Sequence, residues 1–430
     1  MTAPDEPPHG RIASPYAILT VLALVNFFNY VDRQVLSGLV VFVQRPAASG
    51  GLGLTDGQAG LLQSAFMVVH SVASIPLGIA ADRFVRRKMI AVGVALWSAA
   101  TALAGFARTF GQLFASRAAV GIGEATYAPA ATALISESFS TGARARALGV
   151  FQAGMVLGGG FGIVLGSVVG TYWGWRAAFF VVGAPGFALA AASLAIRERP
   201  RSRAADRGPR RPFSTELRLV FGARGVAFVY AAGILITFMV GALQYWGHPF
   251  IIRYHYGGDA SMSARVGATF GPVVIGAAIA GVVGGSVLAD RLERRMPGRG
   301  RLLVVGLGPL LGAPFVALGL WTNSLVLLYV SLGLGTALNS AYAGPVLAAL
   351  HDVVGARAHA TATGAYFFLV HFLGDAFSPA VVGAIADRVG SLRVGLSVAG
   401  AVAVLGGVAA LAGIRARADA DKISGGTREG

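Results

Sequence analysis

The sequence predicts an all-α integral membrane protein with twelve transmembrane helices in two pseudo-symmetric six-helix bundles. Composition is the first observation behind this prediction, because 55% of the 430 residues are hydrophobic and only 13% are charged. A soluble domain has about 25% charged residues. The second observation is a set of twelve apolar stretches, each close to the roughly 20 residues that cross a bilayer as a helix. The third is a charged turn that occurs once in each half of the chain.

This charged turn reads Asp-Arg-x-x-Arg-Arg and separates one apolar stretch from the next. It begins at Asp82 and again at Asp290, an offset of 208 residues in a chain of 430. A charged turn that recurs between spans in both halves indicates a duplicated bundle. Duplicated membrane bundles usually transport a substrate.

The predicted spans divide the chain into two bundles and three polar segments. The spans are 15–40, 57–81, 88–107, 111–136, 144–170, 176–196, 224–248, 264–289, 302–321, 325–350, 358–386 and 392–413. The corresponding regions are a cytoplasmic tail at 1–14, a bundle at 15–196, a cytoplasmic linker at 197–222, a bundle at 223–414 and a cytoplasmic tail at 415–430. The first span lacks a small-residue cleavage site, so we expect a retained helix rather than a signal peptide.

The distribution of basic residues predicts the orientation in the membrane. With the N-terminus inside, 26 of the 35 Lys and Arg residues fall in cytoplasmic segments and seven fall in external loops. An excess of Lys and Arg marks cytoplasmic loops. We therefore expect a multi-pass protein of the cell membrane, inner or plasma, with both termini in the cytoplasm. The arginines of the linker are expected to anchor this topology, with binding of anionic lipid headgroups as the alternative.

Composition and missing motifs exclude several function classes. The formal net charge is +16, but its basic residues lie in short loops between spans and leave no free basic face for nucleic acid. The chain has no cysteine, hence no disulfide or thiol chemistry. No P-loop, nucleophile elbow or metalloprotease motif occurs. We therefore expect a protein that is not an enzyme and that binds no metal or organic cofactor. Any transport is expected to be passive or driven by a gradient.

Three acidic residues lie well inside predicted spans, namely Asp32, Glu124 and Asp375. A charge at the centre of a bilayer costs at least about 2.5–3.5 kcal/mol, so each acid needs a partner, water or a neutral form. Arg117 and Glu124 are seven residues apart and share one helix face. Burial favours the neutral form of a carboxyl and a nearby arginine favours its charged form. We expect Glu124 to bind and release a proton, and a static ion pair is the alternative.

A second polar cluster occupies the first span. It contains Asn29, Tyr30, Asp32 and Arg33. Asp32 and Arg33 are adjacent and project about 100° apart, so we expect them to have different partners. Asp32 is a second candidate for proton coupling. Arg33 is expected either to hold an anionic group of the substrate or to neutralise Glu124 from across the bundle.

The two charged turns are candidate gates that hold one conformation, with simple topology anchors as the alternative. An aspartate there can accept hydrogen bonds from the N-terminus of a neighbouring helix. The gating candidates are Asp82, Arg83, Arg86, Arg87, Asp290, Arg291, Arg294 and Arg295.

Residue spacing indicates two further features. His371 and Asp375 are one helical turn apart, which makes them either packing residues or a second proton relay. Glycines recur every four residues in the fifth span, at 154, 158, 162, 166 and 170. Such a bare stripe is typical of close helix packing.

The first charged turn, with Gly78 four residues before its aspartate, resembles the signature loop between helices two and three of the major facilitator superfamily. Within that superfamily, the chain is most similar to spinster-like transporters. The segments that carry this likeness are Asn29-Tyr30-Val31-Asp32-Arg33, Arg117-x-x-x-Gly121-x-Gly123-Glu124-Ala125, Gly174-Trp175-Arg176-x-x-Phe179 and His371-Phe372-Leu373-Gly374-Asp375-Ala376-Phe377-Ser378-Pro379.

The resemblance implies the major facilitator fold, with a midplane cavity and alternating access. It also implies that Asp32, Arg33 and Glu124 carry proton coupling and substrate contact, with Arg117, Asn29 and Tyr30 as charge or substrate partners. Eukaryotic spinster relatives move sphingolipid or lysophospholipid species.

We therefore expect a proton-coupled secondary transporter for a small amphipathic or anionic molecule, or for a lysolipid-like substrate. The proton is its coupling ion, membrane lipids are its surroundings, and the chain is expected to act as a monomer. The alternatives are a transporter-like receptor or sensor, and a lipid scramblase without proton-driven flux.

Overall fold

A computed structural model describes residues 13–81, 84–198, 220–223, 225–354 and 358–426. Fifteen α-helices form within these ranges. They are α1 Pro15–Val43, α2 Asp56–Ala81, α3 Arg86–Ala104, α4 Phe110–Glu124, α5 Tyr127–Ser138, α6 Thr141–Trp173, α7 Trp175–Leu194, α8 Val226–His255, α9 Ser263–Arg295, α10 Gly300–Trp321, α11 Leu325–Ser340, α12 Ala343–Val353, α13 His359–Leu369, α14 Ser378–Val389 and α15 Leu392–Gly426. A π-helical segment, Val370–Asp375, connects α13 to α14.

The helices account for the twelve predicted spans, which are confirmed. Nine spans are single helices, and three are interrupted: α4 with α5, α11 with α12, and α13 with the π segment and α14. In the part of the chain that the structure describes, eleven spans are long and apolar enough to cross a membrane on their own. The twelfth consists of α4 and α5, each of which is too short alone.

Two helices extend beyond their predicted spans. α9 continues to Arg295 and takes up the second charged turn as its last helical turns, because Leu, Glu and Arg are good helix formers. α15 continues to Gly426, into the predicted tail. The first charged turn differs, because Phe84 and Val85 are not helical and α3 begins at Arg86. Most of the predicted linker lies outside the described residues, so the domain limits stay a prediction.

The chain forms two compact units. The first contains Met1–Leu54, Leu61–Gly208 and Tyr256–Gly271, and the second contains Thr55–Gly60, Pro209–His255 and Pro272–Gly430. The first turn of α2 therefore belongs to the second unit, and the first turns of α9 belong to the first.

Charges fix that first turn of α2 inside the second unit. The Asp387 carboxylate accepts hydrogen bonds from the backbone N–H groups of Asp56, at 2.9 Å, and Gly57, at 2.8 Å. Arg253 donates two hydrogen bonds of 2.7 Å to the Asp56 carboxylate. A carboxylate at a helix N-terminus is stabilised by the free N–H groups and by the helix dipole.

In the first unit, the glycine stripe of α6 packs directly on the backbone of α1. A Cβ at Gly158 would meet the Phe27 carbonyl oxygen, and one at Gly162 would lie 2.5 Å from the Val31 carbonyl oxygen. The contact points on α1 advance four residues for every four on α6. The predicted packing role of the stripe is confirmed, and it sets the position of α1, which carries the polar cluster.

This packing predicts opposite effects for two Gly→Ala substitutions in α6. Gly162→Ala should destabilise the protein by about 1–3 kcal/mol, because its methyl group must push α1 away. Gly149 has open space at its Cβ position, so Gly149→Ala should be neutral or stabilising by up to about 1 kcal/mol through helix propensity. Thermal unfolding of both variants in detergent measures the difference, and equal midpoints would contradict the close α1–α6 contact.

Candidate functional site

The first unit buries two ion pairs between α1 and α4. Arg117 Nη1 donates a hydrogen bond to Asp32 Oδ1 at 2.8 Å, and neither side chain is more than 1% exposed. Thr101 of α3 donates its hydroxyl to the other oxygen of Asp32, Oδ2. Both carboxylate oxygens of Asp32 are thus hydrogen-bonded.

The second pair joins the next residue of α1 to the end of α4. Arg33 Nε donates to Glu124 Oε2 at 2.7 Å, and the Glu124 side chain is fully buried while that of Arg33 is 11% exposed. Arg33 Nη2 lies 3.3 Å from His70 Nε2 of α2. As the 100° separation predicts, Asp32 and Arg33 have different partners. Arg117 and Glu124 share a face of α4, and each bonds to α1 rather than to the other.

Aromatic rings line both arginines. The Phe66 ring lies beneath both guanidinium groups, with its centroid 5.2 Å from Arg33 Cζ and 5.4 Å from Arg117 Cζ. Tyr30 lies on Arg33, at 4.7 Å. Such cation–π contacts hold a guanidinium in place without consuming its hydrogen-bond donors. Arg33, which is partly exposed, can therefore still bind an anionic group.

Polar groups of α1 and α5 border these pairs. The Tyr127 hydroxyl donates to Asn26 Oδ1 and lies 3.4 Å from Asn29 Oδ1. Asn26 Nδ2 in turn donates to the Phe151 carbonyl oxygen at 2.6 Å. Tyr127 therefore ties α5 to the face of α1 that carries the charges.

Local backbone structure explains how Glu124 reaches this place. A Cβ at Gly121 would lie 2.6 Å from the Phe66 carbonyl oxygen, and one at Gly123 would lie 2.7 Å from the Trp97 backbone nitrogen. Only glycine permits such close approach of α4 to α2 and α3. The helix then ends at Glu124, and Thr126 donates its hydroxyl to the Gly123 carbonyl oxygen at 2.8 Å.

Buried polar atoms without a hydrogen-bond partner among the described residues occur on both α1 and α4, at Asn29 Nδ2, Arg117 Nε and Glu124 Oε1. Buried polar groups without a partner are uncommon and call for an explanation. Glu124 can take a proton on its unpaired oxygen while the other oxygen stays with Arg33. Each oxygen of Asp32 already accepts a hydrogen bond, from Arg117 or from Thr101. The geometry separates the two acids, which sequence reasoning treated alike.

The third membrane acid lies in the second unit. Asp375 Oδ2 is 3.0 Å from His371 Nδ1 within the π segment, and Asp375 Oδ1 is buried with no hydrogen-bond partner in the described part of the chain. A Cβ at Gly241 of α8 would lie 2.6 Å from Asp375 Cβ. π-helical turns occur frequently at functional sites. The two residues meet as their spacing predicts, and their role as a relay stays a prediction.

The charged turns are organised differently from the sequence prediction. Asp82 and Arg83 lie outside the described residues. In the second copy, Glu293 rather than Asp290 accepts hydrogen bonds at the start of α10. The donors are the backbone N–H groups of Gly298, just before the helix, and of Arg301, in its first turn. Asp290 is exposed in the last turns of α9, and its gating role stays a prediction.

In the first copy, the N-terminus of α3 is also capped by a glutamate. Glu198 accepts from the backbone N–H groups of Arg86 and Arg87, each at 3.2 Å. Arg87 also donates to the carbonyl oxygens of Leu194 and Ile196. Among the remaining candidates, Arg294 donates to the Asp290 carbonyl oxygen, and Arg291 and Arg295 are exposed.

Sequence reasoning missed a pair of equivalent ion pairs. Arg86 at the start of α3 bonds Glu137 at the end of α5, at 2.5 Å. Arg301 at the start of α10 bonds Asp352 at the end of α12, also at 2.5 Å. The second pair lies 215 residues after the first at both positions. That shared offset was the signal that could have found both.

Comparison with known proteins shows which family the chain resembles. Residues 22–379 match the model of the Major Facilitator Superfamily. The chain is 32% identical over 391 residues to protein spinster homolog 1 of Bos taurus, covering 86% of this chain and 73% of that protein. It is 31% identical over 385 residues to protein spinster of Drosophila melanogaster, where the match covers 87% of this chain and 62% of the fly protein.

Two further likenesses concern substrate names and fold. A sphingosine-1-phosphate transporter of Danio rerio is 29% identical over 399 residues, covering 88% of this chain and 77% of that protein. A crystal structure of a bacterial homolog to the human lysosomal transporter spinster, inward-facing and unoccupied, superimposes with a TM-score of 0.81 at 22% identity. That match covers 94% of this chain and 97% of the other, and it shows the same fold.

The two buried pairs predict unequal losses of stability. Asp32→Asn leaves Arg117 charged and fully enclosed, so we expect a loss of about 3–5 kcal/mol in the free energy of unfolding. Glu124→Gln should cost less, because Arg33 is partly exposed. Asp32→Asn/Arg117→Gln should recover part of the loss, since no unpaired charge is left. Thermal unfolding in detergent measures all three, and equal losses for the two single variants would contradict the different enclosure of the pairs.

Proposed function

Because the chain belongs to the Major Facilitator Superfamily and is spinster-like, we propose that this membrane transporter is proton-coupled and moves an amphipathic organic anion of the lysolipid type by alternating access. The observation that carries the proposal is the Arg33–Glu124 pair. It combines a fully buried carboxyl that has one unpaired oxygen with a guanidinium that is partly exposed.

The proposed coupling follows from charge balance. With Glu124 ionised, its negative charge neutralises Arg33. A proton on Oε1 removes that negative charge and leaves Arg33 without a counterion in a medium of low dielectric, which is costly. A substrate anion then restores neutrality by binding Arg33. The proton and the substrate are thereby linked through one guanidinium.

The neighbouring groups have supporting roles in this proposal. Arg117 and Asp32 keep α1 and α4 together, and Asp32 is a second proton acceptor. Tyr30 and Phe66 supply aromatic surface beside the guanidinium. Asn29 offers an amide donor for a polar group of the substrate.

The remaining assignments belong to the same proposal. His371 and Asp375 form a second proton relay in the other unit. The charged turns act as gates, together with the nearby Arg86–Glu137 and Arg301–Asp352 ion pairs. The charge distribution supports cytoplasmic termini in the cell membrane, and the transporting unit is a monomer.

The substrate class has two sources of support. A relative of this chain is named as a sphingosine-1-phosphate transporter, and that molecule joins a phosphate to one long alkyl chain. The cation beside aromatic rings in this chain fits a ligand with an anionic head and an apolar body. We therefore propose a single-chain lipid anion rather than a small polar metabolite.

Glu124→Gln should abolish flux driven by a pH gradient in proteoliposomes and leave the fold intact, since glutamine keeps the side-chain shape and cannot change charge. Asp259→Asn, which alters an exposed carboxylate in a loop, is the matched control and should transport like the parent chain. Undiminished gradient-driven flux in Glu124→Gln would remove Glu124 from the mechanism. Flux without any pH dependence in the parent chain would favour a scramblase, and binding without flux a receptor.

Arg33→Gln should lower the apparent affinity for lysophosphatidic acid, measured from thermal stabilisation, by tenfold or more, because a charge-assisted bond is lost. Arg33→Lys should recover only part of it, since an ammonium cannot form a bidentate contact. A thermal-shift titration against lysophosphatidic acid and short organic acids measures this. Equal stabilisation by short organic acids would contradict the lipid assignment.

A further inference from the structure

The first unit contains a cavity of about 480 Å³ that shares no residue with the charge cluster. It lies where α1 ends, α6 ends and α7 begins, beside the short helical turn Ala260–Met262. Its size is within the range of small-molecule sites. On the predicted topology, this is the external end of the helices.

Two of the seven arginines on the predicted external side line this one cavity. Arg176 is held in place by hydrogen bonds to the carbonyl oxygens of Gly50, at 3.0 Å, and Ala107, at 3.2 Å. Its Cζ lies 4.1 Å from the centroid of the Trp175 ring. These contacts fix the guanidinium on the wall of the cavity.

Arg45 is held less firmly. Its Cζ lies 5.3 Å from the centroid of the Phe42 ring, and no hydrogen bond or ion pair of its side chain occurs within the described residues. All five of its N–H donors can therefore serve a ligand. The lining hydroxyl groups are those of Ser49, Thr171 and Ser261.

One acidic group lies near these arginines. The Asp259 carboxylate accepts from the backbone N–H of Ser261 at 2.9 Å and from its hydroxyl at 2.7 Å. These hydrogen bonds hold the pKa of Asp259 below its ordinary value, and the charge of Arg45 adds to the effect. Two guanidiniums against one carboxylate leave the site with a net positive charge.

The mouth of the cavity has the features of a membrane interface. Tyr172 and Trp173 are each 70% exposed, and Trp173 is also part of the cavity wall. Exposed Tyr and Trp at helix ends mark the level of the lipid headgroups. Gly50 and Gly174 have positive φ angles of 82° and 84° and open space at their Cβ positions, so the wall there is free of side chains.

From these observations, we propose that the cavity binds a phosphoester anion, supplied as the headgroup of an anionic phospholipid of the outer leaflet. Arg45 and Arg176 would contact the phosphate, since guanidinium groups match phosphate geometry. Ser49 offers a hydroxyl donor to its oxygens. Thr171 and Ser261 donate their hydroxyl protons to the Ser167 carbonyl oxygen and to Asp259, so their oxygens would accept from a glycerol head. Phe42 and Trp173 face the first apolar part of the lipid. The site is separate from the pathway proposed for the substrate.

Native mass spectrometry of the detergent-purified chain, titrated with phosphatidylglycerol, tests this proposal. Arg45→Gln should weaken binding about tenfold, which is the effect expected for one charge-assisted contact. Ser49→Trp keeps both arginines and fills the cavity, and it should weaken binding at least as much. Arg265→Gln removes an exposed arginine of the same predicted side outside the cavity and should bind like the parent chain.

Two results would overturn the proposal. If Arg45→Gln and Ser49→Trp bind phosphatidylglycerol like the parent chain, or if Arg265→Gln loses as much affinity as Arg45→Gln, the cavity is not the binding site. If glycerol phosphate binds as tightly as phosphatidylglycerol, with the same dependence on Arg45, the site takes a soluble phosphoester and the lipid assignment is wrong. Neither result depends on whether Glu124→Gln transports, so this proposal and the proposed function are tested separately.

Discussion

Four charged side chains are enclosed together between α1 and α4, and their mutual neutralisation is the constraint on which the first unit depends. In a medium of low dielectric, a lone charge there costs several kcal/mol. Asp32 and Arg33 must therefore meet Arg117 and Glu124 in one register only. The glycine contacts of α6 with α1 and of α4 with α2 and α3 provide that register, because a side chain at these positions would separate the helices.

The two ion pairs are not equivalent, and this difference gives the site its proposed chemistry. The Asp32 carboxylate is satisfied on both oxygens and pairs with a fully buried arginine. The Glu124 carboxylate keeps one oxygen unpaired, and its arginine partner reaches the surface of the unit. One pair therefore serves as an anchor and the other as a group that can change charge. A proton at Glu124 together with an anion at Arg33 gives the same net charge as the ionised pair alone.

Much of the fold followed from the sequence, because hydropathy and charge distribution are properties of each segment alone. The twelve spans were predicted from hydropathy, and the packing stripe of α6 was predicted from the spacing of its glycines. Partner choice was not, since a helical wheel gives the face of Glu124 and not the neighbouring helix it meets. Thr101 and Tyr127 were missed for the same reason, as single polar residues in apolar spans. The contact of Glu293 with the start of α10 was missed as well, because a repeated motif gives residue types and not the helix end that each side chain reaches.

The most direct test of the central claim is infrared difference spectroscopy of the protein in lipid, recorded as a lysolipid anion is added at constant pH. Binding should change the absorption of one protonated carboxyl group, and the change should vanish in Glu124→Gln and persist in Asp375→Asn. A spectrum without a carboxyl change, or one that Glu124→Gln leaves intact, would contradict the proposal that Glu124 and Arg33 link proton and substrate.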